Sequence, residues 1–192
     1  MPCILNSRIA NRKQKTYGSR IMVLKPQDIL VTLKLVAIKE AEWAYNQLAV
    51  ELGMSPSEVH AAVKRALRVH LAVSISDNIQ VNRSALEEFI IHGIKYVFMP
   101  ERGEMTCGIP TIYAVDPLKA LLSGTDEPQP VWPDPMGEAR GSSFSPLYKS
   151  VPKAARNDKA LYELLVLVDA IRGGRARERE LAAKEIKRRL IK

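Results

Sequence analysis

Apolar residues recur along the chain with two different periods, and the switch between them orders the first ninety residues. From residue 26, Ile29, Leu30, Leu33, Val36 and Ala37 return at intervals of three and four behind Pro26. Proline costs nothing in a first turn, so this spacing predicts a helix over 26–38. A short second helix is expected over 44–52. Ser55-Pro56-Ser57-Glu58 opens a third: Ser55 caps, Pro56 takes the first helical position and Glu58 closes a capping box, with the pattern running to about His70. From Leu71 the period falls to two. Val73 and Ile75 alternate with polar neighbours, Asp77-Asn78 supplies a turn, and Ile79 and Val81 alternate again, which predicts a short hairpin. Ser84-Ala85-Leu86-Glu87 then reads as a second capping box opening a helix to about Ile94.

Further on the signals weaken and change character. Residues 96–115 are β-prone but broken by Gly103, Gly108 and Pro110, and read as strands or ordered loop. Residues 123–152 hold half of the chain's 12 prolines, which predicts a semi-rigid linker or a strap laid over the surface. Trp132, Phe144 and Tyr148 argue that parts of it pack on something. Leu161, Leu164, Leu165, Val168 and Ile171 form an apolar stripe on a helix from about Asp158 to Arg172, ended by Gly173-Gly174. A charged helix over about 175–191 follows, with Glu180–Lys184 and Glu185–Arg189 pairs.

Composition narrows the class. The 192 residues are 46% hydrophobic and 26% charged, as in ordinary soluble globular proteins. Two cysteines, Cys3 and Cys107, exclude a disulfide framework and fit a reducing, cytoplasmic setting. No apolar run approaches the roughly 18 residues a membrane span requires. Charge changes the picture only once located. Residues 1–25 carry +6, residues 26–170 carry −4 and residues 171–192 carry +6, for a net +8. Basic tails and solvated helix faces produce such a balance alone, so it is weak ground for nucleic-acid binding. Residues 1–21 lack a periodic apolar face and the marks of a secretory signal. They are expected to be a disordered basic extension upstream of a true start at Met22, or else an arm touching DNA phosphates.

The informative stretch runs from Gln47 to Arg65. Ala49 and Gly53 are four apart, and Val59 follows Gly53 by six. Two helices can cross closely at Ala49, Gly53 can end the first in a left-handed turn, and Leu48, Leu52, Met54, Val59 and Ala62 or Val63 can fill the small core between them. This leaves Ser57, His60, Ala61, Lys64, Arg65 and Arg68 toward the outer face of the third helix.

Here the chain resembles winged helix-turn-helix bacterial transcriptional regulators, in the broad class that includes the MarR family. The resemblance covers residues 26 to about 92 and rests on the Leu-Ala-x-x-Leu-Gly-x-Ser-x-x-x-Val pattern, the Lys64-Arg65 pair and the two-stranded wing. It implies a mainly α fold with a small β-hairpin wing. The expected organisation is a winged helix-turn-helix domain over 22–95, an irregular extension over 96–122, the Pro-rich strap over 123–152 and a C-terminal helical pair over 153–192. The third helix would lie in the major groove, with Ser55, Ser57, His60, Ala61 and Lys64 near base edges and Arg65 and Arg68 reaching phosphates. Asn78, Gln80 and Arg83 of the wing would contact the adjacent minor groove or backbone.

Plainer readings stand beside these. The three cations of the third helix also suit a solvated face, and His60 and His70 suit surface histidines better than ligands. Cys107 reads as a small buried or idle residue rather than a redox sensor, and Trp43, Tyr45 and Tyr96 as core. The chain carries no Gly-rich phosphate loop, nucleophile elbow or metal-spaced His/Cys set, so no enzyme activity, cofactor or metal is expected. The implied function is a DNA-binding repressor; the alternative is an antitoxin or adaptor holding a protein partner through 123–192. Either way, Leu161, Leu164, Leu165, Val168 and Ile171 are the expected interface, most simply of a homodimer, and Leu165→Asp or Val168→Asp should give folded monomers.

Overall fold

The first four predicted elements form close to where the apolar periods place them. The computed structural model describes residues 23–39, 41–76, 78–122 and 127–191, so the expectations for residues 1–21 and the start at Met22 lie outside the described residues. Helix α1 (Pro26–Ala37) buries every position from Asp28 to Val36. Helix α2 (Tyr45–Leu52) ends at Gly53, whose φ of 63° is left-handed, and α3 (Pro56–Arg68) follows, with the Ser55–Glu58 capping box in place. Strands β1 (Ala72–Ile75) and β2 (Asn78–Val81) pair antiparallel, Ala72 opposite Val81 and Ile75 opposite Asn78. Asn78 therefore belongs to the strand rather than to the turn.

The next helix starts earlier than its sequence suggests. Asn82, not Ser84, accepts the Ala85 N–H at 3.2 Å and caps α4 (Arg83–Glu88). Asparagine is at least as good a cap as serine, and β2 ends at Val81, leaving Asn82 outside both elements. The helix then passes through a π-helical turn, Phe89–Gly93, into α5 (Ile94–Val97), three residues past the expected end.

Residues 96–115, read as strands or ordered loop, do carry a strand, and the stretch read as a strap carries two more. Strand β3 (Arg102–Pro110) pairs antiparallel with both β4 (Pro130–Pro133) and β5 (Ala139–Phe144). A short parallel pairing of β4 with β5, Pro130 opposite Ser142, closes the sheet on itself. Such tight closure requires close backbone approach. A Cβ on Gly108 would fall onto the Trp132 carbonyl, and one on Gly141 onto the Gln129 carbonyl. The prolines fit because they stand at strand ends, in connecting turns or, as Pro152, in a first helical turn. The protein is thus mixed α/β and mostly helical, with one two-stranded and one three-stranded sheet among the described residues.

Three helices complete the chain: α6 (Val151–Asn157), α7 (Lys159–Gly173) and α8 (Ala176–Ile191). Helix α7 buries Leu161 and every residue from Leu164 to Arg172, packing against α1, α5, α6 and α8. On its sheet side Asp169, fully buried, accepts hydrogen bonds from Trp132 Nε1 (2.5 Å), Thr111 Oγ1 (3.2 Å) and the Arg172 guanidinium (2.6 Å). Burial pushes the Asp169 carboxyl up, while the Arg172 charge and these hydrogen bonds pull it back. Arg172 Nε also donates to the Phe98 carbonyl beyond α5 at 2.8 Å. One hydrophobic cluster runs from Ile29 to Leu190, so the expected boundaries near 95 and 152 divide no core. No helix among the described residues is long and apolar enough to cross a membrane.

The expected interface is corrected by this packing. Leu161, Leu164, Leu165, Val168 and Ile171 are each at most 3% exposed. The stripe looked too wide to cover because its cover comes from α1 and α5, distant in sequence, as well as from α8. Val168→Asp should therefore not yield a folded monomer. It should cost about 4 kcal/mol or more by placing an unpaired charge in the core. Urea unfolding that finds the variant as stable as wild type would contradict this placement.

Candidate nucleic-acid interface

Helix α3 is two-faced by construction. Val59, Ala62, Val63 and Ala66 are buried against α1 and α2, with Leu48, Ala49 and Leu52 supplying the facing surface. Ser57, His60, Lys64 and Arg68 are exposed on the opposite side, and Ala61 is half-buried between the faces. Ser57 shares a 3.1 Å hydroxyl contact with Ser55 within that exposed surface.

Side-chain engagements of this kind set the geometry. The Ser55 hydroxyl accepts the Glu58 N–H at 3.2 Å and donates to Glu58 Oε2 at 2.8 Å, so it is spent on the cap rather than open to a base. His60 stands edge-on to Tyr45, ring centroids 5.2 Å apart, and Tyr45 in turn meets Trp43 at 5.2 Å. Trp43 and Tyr45 are half-buried, in keeping with a packing role. Tyr96 is corrected: it is 78% exposed on α5, with Lys95 Nζ 4.8 Å from its ring centre.

Arg65 is the main correction. Expected at a phosphate, it turns inward and grips the carboxylate of Asp28 on α1 with both arms of its guanidinium, Nε to Oδ2 at 2.8 Å and NH2 to Oδ1 at 2.6 Å. Asp28 is fully buried and also accepts the Lys25 backbone N–H at 2.8 Å. A planar two-pronged pair of this kind fixes orientation as well as distance. It locks the rotation of α3 against α1. Position 65 lies four residues behind Ala61 and seven behind Glu58, on the flank of the helix rather than at its outer face.

Glu58 is held on the same flank, two turns nearer the start of α3. Tyr148, on the segment after β5, donates its hydroxyl to Glu58 Oε1 at 3.0 Å. The Ser55 backbone N–H, the Ser55 hydroxyl and the Tyr148 hydroxyl keep the Glu58 carboxyl below the ordinary glutamate range, with Lys149 adding its charge. Sequence reasoning missed both pairings, because Asp28 and Tyr148 lie 37 and 90 residues from their partners and leave no local spacing to find.

On the hairpin, Asn78 and Gln80 are exposed on β2. Arg83 is corrected: it donates to the Leu190 carbonyl at 3.3 Å, where the carboxyl end of α8 attracts a cation. Cys107 is exposed on β3, which removes the buried alternative and leaves the idle one. An open groove of about 480 Å³ lies at the far end of α3, walled by Val69, Leu71 and Phe89 among others, with Glu88 and His92 also lining it. It is apart from the Ser57–Lys64 surface.

No family model matches the chain, and no curated protein or solved structure matches it.

The Arg65 geometry makes a prediction opposite in kind to a phosphate contact. Arg65→Ala leaves the Asp28 carboxylate buried with only a backbone donor, and should destabilise the fold by about 3 kcal/mol. Chemical denaturation reads this directly. A variant with unchanged stability would return Arg65 to the outer face.

Proposed function

We propose that the protein is a sequence-specific DNA-binding transcriptional regulator, acting most simply as a repressor, and that its winged helix-turn-helix unit is built from α1–α3, the β1–β2 hairpin and α4. The observation that carries this reading is α3 itself. Its apolar face is fully used, one flank is held twice, by Arg65–Asp28 and Glu58–Tyr148, and what remains exposed is one polar strip, Ser57, His60, Lys64 and Arg68, with Ala61 at its margin. The left-handed turn at Gly53 brings α2 and α3 together as such a unit requires.

The strip suits groove chemistry. Lys64 and Ser57 can hydrogen-bond base edges, and the Ala61 methyl can meet a thymine methyl. Arg68, a turn nearer the end of the helix, suits a phosphate. Asn78 and Gln80, exposed on the hairpin, suit the neighbouring minor groove or backbone. The antitoxin or adaptor alternative drew its support from a free apolar stripe and a loose strap. The stripe is buried against α1, α5 and α8 and the expected strap contributes β4 and β5, so no observation now favours it.

Two variants separate base reading from backbone gripping on a duplex selected from a random-sequence pool. Lys64→Ala should cost about 1–3 kcal/mol on the selected duplex and relax its sequence preference. Arg68→Ala should weaken selected and random duplexes alike and reduce the slope of log affinity against log salt by about one. Unchanged gel-shift affinity in both variants would remove α3 as the reading element.

A further inference from the structure

We infer that Lys149 and Lys153 form a second phosphate-gripping edge of the α3 surface, contributed by the segment that joins β5 to α6. The inference rests on the DNA-binding reading of α3 and deepens it by naming where the sugar–phosphate backbone is held.

With Arg65 committed to Asp28, the α3 surface is thinly charged. Lys64 and Arg68 stand against Glu58, a net of one positive charge. Protein–DNA association draws much of its affinity from cations that displace the counterions of the phosphates, and so thin a surface supplies little of it. The β5–α6 connection makes up the difference at the place where it counts. Phe144, Leu147, Ser150, Val151 and Pro152 are buried and seat this segment on the core. Lys149 and Lys153 alternate with them and are left exposed.

Both lysines lie at the start of α3. Tyr148 bonds Glu58 in the first turn of α3, and Lys149 Nζ stands 5.8 Å from the Tyr148 ring centre. The Lys153 stem crosses the turn before α3 so closely that a Cβ on Gly53 would lie 2.9 Å from its Cδ. Gly53 is favoured by its left-handed backbone, and the flexible Lys153 stem lies against it. The start of α3 is the end that a helix-turn-helix presents to base edges, where the flanking strand passes nearby. With the two lysines the surface carries a net of three positive charges.

Neighbouring cations have other duties. Arg156, one turn along α6, pairs with Asp134, and Lys34 pairs with Glu51 and Asp158. Lys149 and Lys153 are exposed, the first beside the Tyr148 ring and the second with its stem against Gly53. Lysine stems packed on a surface while the ammonium stays in water keep that charge in place at modest entropic cost.

The test compares the full chain with a Lys149→Gln/Lys153→Gln variant by fluorescence anisotropy across a potassium chloride series. The probes are a random-sequence duplex and a duplex selected by the wild type, with Arg177→Gln/Arg179→Gln on α8 as a control of equal charge change. The lysine variant should bind both duplexes about tenfold more weakly, its salt slope smaller by about two, with the preference for the selected duplex unchanged. The α8 control should keep the wild-type slope, and both variants should keep the wild-type melting temperature. A wild-type slope in the lysine variant overturns this inference and leaves α3 as the reading helix. An equal loss in the α8 control also overturns it, because the effect is then one of total charge. Failure of the wild type to bind either duplex overturns this inference and the DNA-binding reading together.

Discussion

A carboxylate without access to water stands between α7 and the closed sheet, and the rest of the arrangement depends on satisfying it. Asp169 draws on Trp132 from β4, Thr111 from the turn after β3 and Arg172 from its own helix. Arg172 reaches on to the carbonyl of Phe98 beyond α5. An uncompensated charge at this depth costs several kcal/mol, so sheet, turn, α5 and α7 must come together in one register or none. The network gives the apolar core what hydrophobic contact alone supplies poorly, namely a single relative placement of its layers.

From that junction the constraint runs outward to the candidate surface. Helix α7 packs on α1, α1 carries the buried Asp28, and Asp28 holds Arg65 of α3. Two turns earlier on the same flank, Tyr148 holds Glu58 from a segment seated by Phe144 and Leu147. Rotation of α3 about its axis is fixed at two points along one flank. The strip from Ser57 to Arg68 therefore faces outward by design of its neighbours, and a surface set in advance loses less entropy when it binds. The C-terminal half, which has the look of an accessory region in the sequence, is what orients the N-terminal one.

Much of the architecture is legible in the sequence where its causes are local. The Ser55 capping box, Pro26 and Pro56 at helix starts, and the left-handed Gly53 all act within four residues, and α1–α3, the hairpin, α7 and α8 follow. The closed sheet does not, because β3, β4 and β5 are defined by pairing partners up to about 40 residues apart and by glycines that allow backbone overlap. The same distance explains the misread residues. Arg65 looks free because Asp28 is far along the chain, and Leu161 to Ile171 look uncovered because α1 and α5 cover them. Lys64 and Arg68 were legible as surface cations since amphipathic period alone puts them outside, whereas Lys149 and Lys153 carry no periodic mark.

The most direct measurement is a backbone amide NMR titration of the full chain with a duplex selected from random sequence. Shift changes should concentrate on Ser57, His60, Ala61, Lys64 and Arg68, with a second group at Asn78 and Gln80, while the buried residues of α7 stay still. Changes confined to α8 and the closed sheet, or a pool from which no duplex is enriched, would contradict the account.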